Sequence, residues 1–201
     1  MLVALGNKLQ DVNDAVRGVM EFLGPMALRL YLAPVFWIAG NNKLAHMDST
    51  IQWFGNSDWG LGLPAPALLA WMAVLTEVGG SVMLVSGLGI RWITIPLMVT
   101  MLVAIFSVHL ENGWQAVADL QSPWAGANAS EAIDRLRVAK GILREHGNYD
   151  WLTEHGNFVV SNNGIEWAVT YFIMLMALLF LGGGKFTSID FWLGRRFREQ
   201  S

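Results

Sequence analysis

Leu63–Leu88 reads LPAPALLAWMAVLTEVGGSVMLVSGL, and this stretch decides the fold. It is a long apolar run with Glu77 near its middle. Crossing a bilayer takes roughly 20 apolar residues, so the run is long enough to do so. A carboxylate at that depth costs about 2.5–3.5 kcal/mol on insertion scales, so it faces protein, a cavity or a partner rather than lipid. The prolines at its start suit a helix entry, and Ser86-Gly87-Leu88-Gly89 reads as a stop and tight turn.

The rest of the chain shares this character. Of 201 residues, 54% are hydrophobic and 14% charged, which is membrane-protein composition rather than that of a soluble domain. The net charge is slightly negative, with no basic platform for nucleic acid. Cysteine is absent, so thiol catalysis, disulfides and iron–sulfur ligation are excluded. Scattered serines and threonines form no nucleophile motif, and Gly182-Gly183-Gly184-Lys185 lacks the spacing of a phosphate-binding loop.

Working outward, we expect an all-α integral membrane protein: a four-transmembrane-helix bundle with spans at about 25–44, 64–87, 92–110 and 165–182. Residues 1–24 read as an amphipathic helix on the membrane surface, with Leu9, Val12, Val16, Val19 and Leu23 on one face, and not as a cleavable signal. Residues 25–193 form the membrane domain, and 194–201 a basic tail. Met47–Gly62 reads as a polar loop carrying interfacial Trp53 and Trp59. Between spans three and four lies a polar insertion at 111–164, expected to be partly helical. Its helix is expected to be capped by Asn128 with Glu131 and stopped at Gly147; Phe158-Val159-Val160 is a candidate extended piece.

Four spans put both ends on one side, with Lys8, Arg17, Arg91, Lys185, Arg195, Arg196 and Arg198. The positive-inside rule makes that side cytoplasmic and puts the insertion outside, which places the protein in the cell inner membrane.

Several residues together resemble the DoxX family of small four-span membrane proteins. Arg29, Phe36, Gly40 and Lys43 sit at helical intervals in span one; Gly62-Leu63-Pro64, Glu77, Gly80, Gly87 and Arg91 follow. Asn163-Gly164-Ile165-Glu166 precedes the last span, and Gly183-Gly184-Lys185 with Ser188 and Asp190 closes it. The resemblance covers about Leu28 to Leu193. The long insertion, with EHGNFVVSNNGIEW, is similar to the branch known as HvfX. That resemblance implies a part in maturation of copper-binding, ribosomally made peptides of the bufferin kind, or in metal and oxidative-stress handling. Partners would be the bilayer and a copper-binding peptide or its modifying enzyme. Related family members are linked to thiosulfate–quinone oxidoreductase, which implies the rival of a quinone-coupled membrane subunit. A structural anchor for a soluble redox enzyme is a third possibility. A second copy of the chain, as a homo-oligomer, is a further expected partner.

Candidate residues follow. Glu77 and Arg29 are expected to meet, either as a structural interhelical ion pair or as a catalytic proton or quinone site. Lys43, Gly40, Gly80 and Glu166 are candidate ligand contacts. His46 and His109, with Met47 and Glu111 nearby in sequence, are candidate metal ligands, since imidazole and thioether suit copper. The alternative for that group is ordinary helix-end polarity. His146 and His155 lie in twin Glu-His-Gly-Asn pieces, which suit helix stops or a partner-binding face. The implied cofactor is a quinone or copper.

Overall fold

The computed structural model describes residues 2–198. The side chains of residues 2–6, Leu9, Arg17, Val19 and Arg198 also fall outside the description. The expected roles of Leu9 and Val19 on the surface face, and of the Arg17 and Arg198 charges, therefore lie outside the described residues.

The helices are α1 (Leu2–Met20), α2 (Leu23–Ala45), α3 (Met47–Gly55), α4 (Pro66–Ser86), α5 (Ile90–Val103), α6 (Ala127–His146), α7 (Tyr149–Leu152), α8 (Glu166–Leu181) and α9 (Ile189–Arg198). Beyond Val103, α5 continues through a wider π-helical stretch, Ala104–His109, and a tight last turn. Among the described residues, three helical runs are long and apolar enough to cross a membrane: Leu23–Ala45, Pro66–Ser86 and Ile90–Asn112. At 1.5 Å per residue these reach about 31–35 Å, against a hydrocarbon core of about 30 Å. The apolar helix α8 has 16 residues, or about 24 Å.

The chain forms two compact units, one from residues up to Thr100 and from Phe172 onward, the other from Met101–Tyr171. In the first, α2 packs along α4, with α3 against the start of α4. The buried positions of α2 are Pro25, Arg29, Leu32, Ala33, Phe36 and Gly40, which is one stripe at three- and four-residue intervals. On α4 the stripe is Ala70, Val74, Glu77, Gly80, Ser81 and Leu84. Leu30, Trp37 and Ile38 of α2 and Leu68, Leu75 and Val82 of α4 point outward. A helix with polar and apolar residues buried on one face and apolar residues outside is built for lipid.

Met47–Gly55 is helical where the sequence suggested loop. Phe54, seven residues after Met47 and so on the same face, is buried, and Asp48 in the first turn complements the helix dipole.

One end of the first unit gathers four chain segments. There α2 begins, α4 ends, α5 begins, and the chain after α8 returns, because Arg29 bonds both Leu84 and Gly183 while Asp190 bonds Gly89 and Ile90. Gly87 makes this possible. Its φ is 71°, and a Cβ there would stand 2.6 Å from Ser188 Cα and 2.9 Å from Arg29 Cζ.

In the second unit, residues 113–118 run antiparallel to 160–166, through bonds such as Ala118 N to Val160 O (3.0 Å) and Glu166 N to Trp114 O (2.9 Å). The extended piece thus lies mostly past the expected Phe158-Val159-Val160. The helix α6 ends at Gly147 as expected, but Asn128 does not cap it. Asn128 sits inside the first turn, where its Nδ2 donates to Glu111 O (3.1 Å), and Glu131 pairs instead with Arg135 (2.9 Å).

Candidate functional site

A buried ion pair joins α2 to α4. The Lys43 Nζ lies 2.9 Å from Glu77 Oε1 and 2.7 Å from Oε2, so one ammonium faces both carboxylate oxygens. The two side chains differ in exposure, 5% for Glu77 against 28% for Lys43. The carboxylate is inside and the ammonium stands at the mouth.

Local geometry explains the pairing. Cα–Cβ bonds tilt toward a helix's N-terminus, so a lysine near the end of α2 leans back toward the middle of that helix. One turn earlier on the same stripe is Gly40. A Cβ at Gly40 would lie 2.7 Å from Val78 Cγ2, 3.0 Å from Glu77 Cβ and 3.0 Å from Val78 N. The missing side chain lets α2 and α4 approach at the level of the carboxylate. Gly80 does similar service one turn along α4, where a Cβ would meet Leu97 of α5 at 3.0 Å. Glu77, Lys43, Gly40 and Gly80 are therefore assembled in one region.

Arg29 is not Glu77's partner, which corrects the expected pairing. Its guanidinium donates to Leu84 O (2.8 Å), Val85 O (2.9 Å), Thr187 O (3.1 Å) and Gly183 O. Leu84 and Val85 are among the last four carbonyls of α4, which have no partner within their own helix and carry the negative end of its dipole. A buried guanidinium finds that acceptor set level with it. Glu77 lies seven residues further from that helix end, about 10 Å at the usual rise. Lys43 is 14 residues along α2 from Arg29 and holds the carboxylate from the other side.

Asp190 completes this end. Its Oδ1 accepts from Gly89 N (2.7 Å) and its Oδ2 from Ile90 N (2.9 Å), so a carboxylate caps the N-terminus of α5. The tight turn between α4 and α5 thus has a cation on its outgoing carbonyls and an anion on its incoming amides. Ser188 Oγ donates to Gly184 O (2.6 Å) and accepts from Phe191 N (3.2 Å). The capping role of Asp190 was not foreseen; the only signal was its place in the closing motif.

The remaining candidates sit elsewhere. His46 is exposed with Nδ1 3.0 Å from Asn42 O. His109, in the second unit, has Nδ1 2.9 Å from Asn163 O. A carbonyl only accepts, so in each of these contacts Nδ1 carries the proton and donates it. Among the described residues, His, Asp and Glu side chains form no group of three or more suited to a metal. Glu166 is tied to the second unit's own backbone, its Oε2 accepting from Ala116 N (2.9 Å). His146 and His155 are exposed, the first at the end of α6.

A multi-pass helical membrane protein with an ion pair buried between its first two long apolar helices is the class that fold and site define. The DoxX family model matches residues 24–110, the segment that holds Arg29, Gly40, Lys43, Glu77, Gly80 and Arg91. A Bacillus subtilis (strain 168) protein described as "Putative oxidoreductase CatD" is 30% identical over 97 residues, covering 48% of this chain and 68% of that protein. No solved structure matches. The chain belongs to the DoxX family. The insertion and the closing motif lie beyond the matched segment.

Proposed function

We propose that this chain is a four-span inner-membrane accessory protein serving the maturation or handling of copper-binding peptides, or metal and oxidative-stress handling, with Lys43–Glu77 as its working centre. The observation that carries a working centre at all is the doubly engaged carboxylate, 3% exposed, in the middle of an apolar helix. Buried ion pairs are weak devices for stability, because desolvation offsets most of their attraction. An ionisable pair inside a membrane bundle is by default a functional one.

Both ends of the chain are proposed to face the cytoplasm. Support comes from the first unit, where α5 leaves the same end to which the chain returns after α8. That return to the same end favours an even number of crossings, and the charge distribution favours the cytoplasmic side for it. The short α8 is the fourth crossing.

In this scheme a ligand or proton arrives at Lys43, the more exposed partner. An anionic group competes with Glu77 for the ammonium; a proton neutralises the carboxylate and frees it. Copper enters as cargo, and His46 and His109 are candidate donors through Nε2. The copper-peptide context rests on the likeness of the insertion to the HvfX branch.

The second reading is a quinone-coupled oxidoreductase subunit, favoured by the description of the B. subtilis relative as an oxidoreductase. A deletion strain complemented with Glu77→Gln tests the centre: we expect loss of function with normal membrane insertion. Full complementation would reduce the pair to a structural element or anchor. Co-purification of a peptide precursor or its modifying enzyme supports the first reading, and quinone reduction by the purified protein supports the second.

A further inference from the structure

We propose that the end of the first unit opposite Lys43 binds the phosphate headgroup of an anionic phospholipid, with Arg91 as its principal contact. A cleft of about 740 Å³ opens there, lined by Arg91 and Trp92 at the start of α5, by the Gly182–Lys185 loop after α8, and by Glu21 and Asp190. That volume suits a small ligand or a lipid headgroup.

The charges in the cleft are unequally engaged. Glu21 is paired with Lys185. Asp190 is satisfied by the amides of Gly89 and Ile90. Arg91 has a different partner: its Nη2 donates to the Phe180 carbonyl at 3.3 Å, a long bond for a charged donor. The guanidinium is exposed, and a planar five-donor fork retains capacity for a phosphate's oxygens. Bare backbone lies beside it. Gly182, at φ 76°, has no side chain, and a Cβ there would stand 3.4 Å from Arg91 Nε. The glycine leaves that side of the guanidinium open.

The surroundings favour a lipid over free phosphate. Trp92 is 79% exposed and Phe180 74% exposed, both beside the cleft's basic group. Indole rings and basic side chains together mark the headgroup level. Leu181, itself a lining residue, is also exposed, so acyl chains would lie on apolar surface while the phosphate meets Arg91. Basic pockets between membrane helices are known lodgings for anionic headgroups.

The test uses the full-length protein in neutral detergent, titrated with short-chain phosphatidylglycerol, short-chain phosphatidylcholine or inorganic phosphate, with binding read by native mass spectrometry. We expect phosphatidylglycerol to bind at least about ten-fold more tightly than phosphatidylcholine. Arg91→Gln should weaken it about ten-fold, the loss of one charge-assisted contact. Arg91→Lys, which keeps the charge and loses the fork, should fall between. Equal binding of the two lipids by the unmodified protein overturns the proposal without any variant. Binding that Arg91→Gln and Arg91→Lys leave unchanged also overturns it, as does binding of inorganic phosphate alone with no lipid preference.

Discussion

Lys43→Met should destabilise the protein more than Glu77→Gln, and the double variant should recover most of the loss. The reason is the exposure of the two side chains, 28% and 5%. Removing the lysine strands a carboxylate inside the bundle. Breaking a buried pair costs about 3–5 kcal/mol, but protonating a carboxylate of ordinary strength at pH 7 costs about 3.7 kcal/mol, which caps the penalty. Removing the carboxylate instead strands an ammonium at the mouth, where its flexible stem can turn toward water, and about 1 kcal/mol is lost. With both gone, no charge is buried and the double variant should lose only about 1 kcal/mol, so the coupling between the two sites should be about 3 kcal/mol. Unfolding in mixed micelles as the SDS fraction rises supplies all four corners of the cycle. An Arg29→Gln and Glu77→Gln cycle run beside it should be additive within about 0.5 kcal/mol, since Arg29 bonds carbonyls of other segments. Equal effects of the two single variants with additive combination would refute the pair. Strong coupling of Glu77 to Arg29 would restore the partnership that the structure replaces.

Three further outcomes follow from the same geometry. Gly40→Ala places a methyl group 3.0 Å from the Val78 backbone, so α2 and α4 must part; a loss of about 1–3 kcal/mol in the micelle assay is expected, with weaker Lys43–Glu77 coupling. Arg29→Lys keeps the charge but cannot reach four carbonyls, and should cost about 2–3 kcal/mol while leaving that coupling intact; loss of the coupling would contradict the separation of the two sites. Asp190→Ala removes the cap on α5 and should cost about 1–2 kcal/mol, with faster amide exchange at Gly89 and Ile90; unchanged exchange there would show that the cap is not formed.

The sequence alone specified the long apolar helices and their ends to within a few residues. The cause is local: lipid requires about 20 consecutive apolar residues, and Gly87 or Pro66 marks a boundary whatever the neighbours do. It also marked Glu77 as sheltered, since one carboxylate in such a run has few places to go. Which cation shelters it was not legible. Arg29 and Lys43 lie on the same helical face, and the choice between them depends on the level at which antiparallel α2 and α4 meet. Gly40 sets that level through its contact with Val78, a fact of packing rather than of pattern. The same register brings Arg29 to the open carbonyls ending α4, and a segment more than 90 residues away in sequence supplies Asp190 to the turn that follows. Helix identity followed from each segment's own composition; the pairing of charges needed the tertiary structure, because it is a property of two helices at once.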